Sequence, residues 1–336
     1  MLRKTKIYKI YSIIIKCSII ALAFGFVYYR LFAKGELYAP LNSLEAIFER
    51  PDFLILSCTV ILLMILNWLL EILKWRFLIK KIEKLKFIKA MIGVLSGVTV
   101  SIVTPNRIGE YAGRVFVLEK ADRWEAVLIT ILGSIGQLFT TIIAGIIGFI
   151  FYAAEYIPLF DDSVYFSGLL FVALALISIL LLFFFRISFL TFIIDKLPGK
   201  LNKIKRYAGM FAAYSPKELL IVLLFCFARY LVFATEFFLM LLLFDVNMPY
   251  HEALMMISLI YFVMSIIPTI AITELGVRGS IALYFIGMYF EKYFPTNGGN
   301  DLFILAASTA TWILNIAVPA LIGTLFVFRL KFFRTK

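Results

Sequence analysis

The chain alternates long uncharged apolar runs with short charged segments, and the runs fall into two length classes. A helix needs roughly 20 apolar residues to cross a hydrocarbon layer about 30 Å thick. Six runs meet that requirement and predict spans over about Ile10 to Phe32, Phe53 to about Trp75, Trp124 to about Tyr152, Val164 to about Phe185, about Glu218 to Phe244, and Leu302 to about Phe328. Two others fall short: Ala90 to Val103 has 14 residues and Ala253 to Ile267 has 15. At about 1.5 Å per residue these reach only about 21 to 23 Å.

Each short run ends near a proline and is followed by charge. The first continues as Ser101-Ile-Val-Thr-Pro-Asn-Arg-Ile-Gly-Glu-Tyr-Ala-Gly-Arg114. Pro105 stops the helix, and Thr104-Pro105 before Asn106-Arg107 reads as an N-cap with proline in the first turn of a new helix. In the second, Pro268 is followed by Thr273 and Glu274 as cap and first turn, then Gly276 and Arg278. The pattern predicts two re-entrant helical hairpins, 90–119 and 252–291. Their tips are Thr104, Pro105, Asn106 and Gly109 in one, and Pro268, Thr273 and Gly276 in the other. Lipid cannot satisfy irregular backbone, so such tips should line a cavity enclosed by protein. The two layouts superpose with Arg107-Ile-Gly109 over Glu274-Leu-Gly276.

Charge orders the loops. Arg76 to Lys89 carries six lysines and arginines, while Arg186 to Lys217, the tail from Arg329 and the N-terminal Met1-Leu-Arg-Lys-Thr-Lys are also basic. The loop Ala33 to Pro51 carries Glu36, Glu45 and Glu49, and another holds Glu155, Asp161 and Asp162. The positive-inside rule then places both termini in the cytoplasm of a cytoplasmic-membrane protein. The apolar run behind the N-terminus is long and lacks a small-residue cleavage site, which predicts a retained span. The expected fold class is an all-α polytopic membrane protein with about six transmembrane helices plus two re-entrant hairpins arranged as an inverted repeat. The segments are 1–52 for the first span and outer loop, 53–152 for the first repeat, 153–216 for a linking span and basic loop, and 217–336 for the second repeat. In inverted-repeat transporters the substrate site lies near the midplane between repeats. A channel, or a fold that inherited a duplication, shares this symmetry.

Composition narrows the chemistry. At 63% hydrophobic, the 336-residue chain is not a soluble globule. Its +12 charge lies in short loops beside spans, which points to topology and anionic-lipid contact and not to nucleic acid. Cys17, Cys58 and Cys226 have no paired spacing, and His251 is the single histidine, so neither a metal centre nor a histidine dyad is expected. No phosphate-loop motif is present, and no cofactor is expected. The 35 Phe and 17 Tyr read as packing and interface belts.

The charges inside apolar segments are the candidate chemistry. Arg107, Glu110, Arg114, Arg229, Glu274 and Arg278 form the candidate substrate-binding set. Guanidinium groups beside helix N-termini suit an anion, most naturally a lipid phosphate. A plainer reading has Glu110 and Arg114, at i and i+4, neutralising each other, with Arg229 and Glu236 paired to neighbours. Glu71, Glu110, Glu236 and Glu274 are candidates for proton coupling. Lys74, three residues after Glu71, is expected to snorkel towards the inner interface.

Asn67-Trp68-Leu-Leu-Glu71, Thr104-Pro105-Asn106-Arg107-Ile108-Gly109-Glu110 with Arg114, and Pro268 with Leu275-Gly276-Val277 together resemble the lysylphosphatidylglycerol synthase transmembrane, or flippase-like, family. The family pattern has glycine where this chain has Asn106 and glycines before the Leu-Gly pair where it has Thr273-Glu274. The resemblance implies movement of lipids or lipid-linked precursors between leaflets, with Arg107, Glu110, Arg114, Glu274 and Arg278 at the implied positions. The chain ends eight residues after its last expected span, so the soluble aminoacyl-transfer domain of the full synthase, and lysyl transfer with it, are not expected. The resulting expectation is a transporter of an anionic phospholipid or polyprenyl-phosphate-linked lipid. Competing readings are a membrane-embedded lipid-linked transferase, or a non-catalytic partner subunit of a glycosyltransferase or synthase.

Overall fold

Hydrocarbon offers no partners for peptide N–H and C=O groups, so apolar runs in it close their own hydrogen bonds as helices. A computed structural model of the chain describes residues 47–102, 104, 107–186, 209–211, 213–269, 271–294 and 301–327. The expected first span, the tip residues Pro105 and Asn106, most of the 186–217 loop and the basic tail lie outside the described residues. Ten α-helices are described: α1 (Phe53–Ile79), α2 (Phe87–Ser101), α3 (Gly109–Val115), α4 (Arg123–Tyr156), α5 (Ser163–Phe185), α6 (Pro216–Leu243), α7 (Tyr250–Ile266), α8 (Ala271–Tyr293), α9 (Asp301–Trp312) and α10 (Val318–Val327). α1, α4, α5, α6 and the run formed by α9 and α10 are long and apolar enough to cross a membrane, and α2 and α7 are shorter. The protein is an all-α polytopic membrane protein, and five of the six expected spans fall where the apolar runs place them.

Local chemistry sets the helix starts. Asp122 caps α4 by accepting from the N–H of Trp124 at 2.8 Å. Ser215 and Glu218 cap α6 reciprocally, with Pro216 in the first turn. Two expected starts shift. The helix after the first break begins at Gly109, not at Pro105, because Arg107 is left-handed (φ 55°) and cannot continue a helix. Thr104 Oγ1 still satisfies the first donor, accepting from Gly109 N at 2.8 Å. After the second break the helix is under way by Ala271, so Thr273 sits within its first turn and is not the cap. The last span is interrupted by a π turn over Ile313–Ala317. Pro319 lacks an N–H and its ring displaces the carbonyl of residue 315, which accounts for the wider turn.

The helices pack in pairs. α1 crosses α6; α2 folds back on α3 as α7 does on α8; α4 lies across α7 as α10 lies across α2. Glycines permit the tightest crossings. A methyl group at Gly113 would sit 2.4 Å from the Cα of Gly97, and one at Gly323 would sit 2.2 Å from the Leu95 carbonyl oxygen. Across the other pair, Gly145 leaves the same room for Phe262. Thr99 closes the α2–α10 crossing, its hydroxyl donating to Ala320 O at 2.8 Å.

Two apolar cores result. One gathers Val60, Phe237, Met256, Ile260, Leu283 and Ile304, and the other gathers Trp75, Leu78, Val94, Leu132, Phe184 and Val222. On α1, Asn67 and Glu71 fall between Val60 of one core and Ile72 of the other; on α6, Arg229 falls between Val222 and Phe237. Asn67, Glu71 and Arg229 therefore lie between the two apolar cores. At about 1.5 Å per residue, Arg229 lies about 20 Å along α6.

At the end of the α2–α3 hairpin, Glu83 accepts backbone N–H groups of Glu119, Lys120 and Ala121 at 3.1, 2.8 and 2.9 Å. Partial burial alone would raise its pKa, but these three donors outweigh burial and hold the carboxyl below its usual range. Its stabilising contribution should be complete above the ordinary glutamate pKa and lost as pH falls through the lowered value. Thermal unfolding in detergent should show this acid-side loss in the wild type and not in Glu83→Gln. By the same assay, Gly113→Ala and Gly323→Ala should each cost about 1 to 3 kcal/mol through overpacking. Gly168→Ala, with nothing within 4 Å of the added methyl, should be neutral.

Candidate functional site

A charge buried without a partner is costly, so the positions of the intramembrane charges reveal what they pair with. Glu71 is 3% exposed and receives Lys74 at 2.7 Å, Arg114 at 2.8 Å and Arg229 at 2.6 Å. Arg114 also bonds Glu110, its i,i+4 neighbour. Lys74 is itself buried against Glu71, so it does not snorkel: a carboxylate one helical turn away offers more than a distant interface. A second cluster joins Glu274 to Arg107 at 2.7 Å and to Arg278 at 2.5 Å. Arg107, after the first break, and Glu274, after the second, thus meet.

Neutral polar groups lead from the Glu71 cluster to Glu236. Arg229 Nε donates to Asn67 Oδ1 at 2.8 Å, and Asn67 Nδ2 donates to Asn315 Oδ1 at 2.9 Å. Asn315 Nδ2 then donates to Glu236 Oε1 at 2.6 Å. Asn315 belongs to the π turn, whose altered phase aims its amide between α1 and α6. Aromatic faces shield the cations: Arg229 lies 5.5 Å from the Trp68 ring, Arg114 6.0 Å from Trp75 and Arg278 5.6 Å from Tyr261. The breaks converge on the same place, where Ile102 and Leu275 pack against Trp312 and Ile316.

Around these groups lies a cavity of about 580 Å³ lined by Arg107, Arg229, Glu274, Arg278, Gln137 and Asn315. Phe233, Tyr261, Met264 and Ile267 complete an apolar wall, and Ser265, Ile266, Pro268 and Thr269 form the rim at the second break. A smaller chamber of about 220 Å³ adjoins it, sharing Trp68, Arg107, Gln137 and Arg229 and adding Glu71, Lys74, Glu110 and Ser101. Of the candidate substrate-binding residues, Arg107, Arg229, Glu274 and Arg278 line the larger space and Glu110 the smaller. Arg114 lines neither and is buried behind Glu71 and Glu110. Glu236 is fully buried, one hydrogen bond behind Asn315. Pro268 and Thr269 reach the rim, Gly109 and Gly276 are buried in helix contacts, and Thr104 holds the start of α3.

Sequence reasoning missed Asn315, Tyr261 and the structural weight of Lys74. The signal for Asn315 was available, since it is an amide in an apolar run four residues before Pro319. Among the described residues no group of three or more His, Cys, Asp or Glu is placed to hold a metal. Glu71→Gln should leave Lys74 and Arg229 without their carboxylate and Arg114 with Glu110 alone, and cost about 3 to 5 kcal/mol of stability. Glu110→Gln should cost less, because the 25%-exposed Glu110 side chain meets one cation. Folded yield and thermal unfolding in detergent would rank the two.

A family model described as Lysylphosphatidylglycerol synthase TM region matches residues 13–289. No curated protein and no solved structure matches the chain.

Proposed function

As the chain belongs to the lysylphosphatidylglycerol synthase TM region family, we propose that it moves an anionic lipid between the leaflets of the cytoplasmic membrane. The cargo is a phospholipid or a polyprenyl-phosphate-linked lipid. The observation that carries this reading is the cavity in which Arg107, Arg229 and Arg278 converge beside Phe233, Met264 and Ile267. Guanidinium groups pair with phosphate oxygens in bidentate geometry, while the adjoining apolar wall suits the start of a lipid tail. Charge balance favours an anion: Lys74, Arg107, Arg114, Arg229 and Arg278 outnumber the carboxylates of Glu71, Glu110 and Glu274 that pair with them.

The matching of α1 with α6, of the α2–α3 hairpin with α7–α8, and of α4 with the α9–α10 run supports an inverted repeat built on two re-entrant hairpins. The repeats occupy 53–152 and 217–336, with 153–216 as the link. In that arrangement the cavity lies between the repeats, where rocking of one against the other would alternate its access. The basic loop at Arg76 to Lys89 and the acidic segment around Glu155, Asp161 and Asp162 support cytoplasmic termini. Against a lipid-linked transferase stands the pairing of the carboxylates on the cavity wall with cations, which leaves no unpaired carboxylate base there among the described residues.

Leaflet exchange in proteoliposomes tests the proposal, with labelled anionic phospholipid, zwitterionic phospholipid and polyprenyl phosphate as cargo. Exchange should favour the anionic cargoes. Arg107→Gln, whose native side chain is 40% exposed, should fold and slow exchange roughly 10- to 100-fold, the worth of a charge-assisted hydrogen bond of about 1.5 to 3 kcal/mol. Exchange no faster than in protein-free vesicles for all three cargoes would sink the transport reading. It would turn attention to a partner glycosyltransferase or synthase.

A further inference from the structure

Three of the four candidate proton carriers are paired with cations. Glu71 is penned by three cations, Glu110 by Arg114, and Glu274 by Arg107 and Arg278. Glu236 is different. It is 0% exposed, its Oε1 accepts from the Asn315 amide, and its Oε2 has no hydrogen-bond partner. No cation pairs with it among the described residues.

The groups around it explain why. On α6 itself Arg229 turns to Glu71 and Asn67, and Tyr230 meets Phe233 edge to face. From α1 come Asn67, Glu71 and Lys74, the last two paired with each other. From α7 comes Tyr261, its ring centroid 6.1 Å from that of Phe237 and its hydroxyl unpartnered. On α8, Glu274 and Arg278 bind one another, and Asn315 with Thr311 face it from the last span. α4 brings Gln137 and Thr141 to the cavity that Asn315 lines and carries Tyr152 and Tyr156 towards its end, and α5 carries no Asp, Glu, Lys, Arg or His. Asp301 stands at the far end of α9 from Asn315.

We propose that Glu236 is a proton-binding site that couples lipid movement to a proton gradient, the carboxyl carrying its proton on Oε2 in the state seen here. This rests on the transport reading above and extends it to the energy source. An isolated carboxylate in this medium is strongly disfavoured, whereas the neutral form keeps the Asn315 bond at Oε1 and leaves one O–H without an acceptor, a smaller cost than an unpaired charge. The path from Glu236 through Asn315 and Asn67 to Arg229 is an unbroken series of hydrogen bonds ending at the cavity wall. An anion in the cavity and an ionised Glu236 draw on the same excess positive charge. Each disfavours the other, so the anion and the proton bind together and leave together. On release the proton passes from Oε2 to water entering from whichever side the cavity opens, leaving a carboxylate that offsets the vacated arginines.

Two measurements test this. The first is infrared difference spectroscopy of wild type against Glu236→Gln at neutral pH. It should show a carboxylic-acid carbonyl band in the wild type alone, and absence of that band overturns the proposal. The second is exchange of the labelled anionic lipid with and without a pH gradient. Wild type should accumulate lipid in one leaflet several-fold under the gradient. Glu236→Gln, which keeps the neutral shape, should exchange lipid yet show no gradient-driven accumulation. Accumulation equal to wild type in the variant overturns the proposal. If wild type exchanges no lipid at all, the transport reading fails, and the infrared band alone still decides whether Glu236 holds a proton.

Discussion

Compensation of buried charge is the constraint on which this structure turns. In a medium that cannot solvate ions, each guanidinium, ammonium or carboxylate needs a counter-charge at hydrogen-bond distance or must become neutral. Glu71 meets that need for Lys74, Arg114 and Arg229 together, and by doing so ties α1 to α3 and α6. Glu274 does the same for Arg107 and Arg278, and ties the first break to the second. The α1–α6 crossing and the hairpins are therefore fixed by ion pairs as much as by apolar contact. The cost of breaking any one pair fixes the register of the helices.

The apolar packing serves the same layer. Hydrophobic attraction between helices is weak where the surroundings are themselves apolar, so close approach through small residues supplies the contact. Gly97 against Gly113 and Gly323 against Leu95 bring backbones near enough to hold the breaks in place. Between the two apolar cores, the irregular backbone at Arg107 and at Ile267 to Thr269 and the π turn at Asn315 come together. Each departure from a regular helix frees polar groups, and the cavity forms where they gather.

Arg107 illustrates how strain and charge combine. Its left-handed backbone costs on the order of 1 to 3 kcal/mol for a residue with a side chain. The ion pair with Glu274 and the Thr104 bond to Gly109 hold it there. The result is a guanidinium aimed into the cavity from the point where a short helix ends. A regular helix through the same residues would carry that side chain elsewhere.

Much of this was legible before any coordinates. Run length distinguished the spans from the short helices, because hydrocarbon thickness sets the number of residues needed to cross. Proline marked the breaks, though the cap residues read beside it did not mark the helix starts, and charges inside apolar runs marked Glu71, Arg107, Arg229, Glu236, Glu274 and Arg278 as candidates. The pairing pattern was not legible. Local spacing joins Glu110 to Arg114, as the structure does, but the partners of Arg107, Arg229 and Glu236 lie 167, 158 and 79 positions away. Spacing likewise suggests that Lys74 reaches for the interface, whereas the tertiary fold seals it behind Glu71. Sequence fixes which groups must be compensated, since that follows from their charge and the apolar run around them. Only the assembled helices decide which group compensates which, because that depends on distances that chain order does not set, and one carboxyl, Glu236, is left without a counter-ion among the described residues.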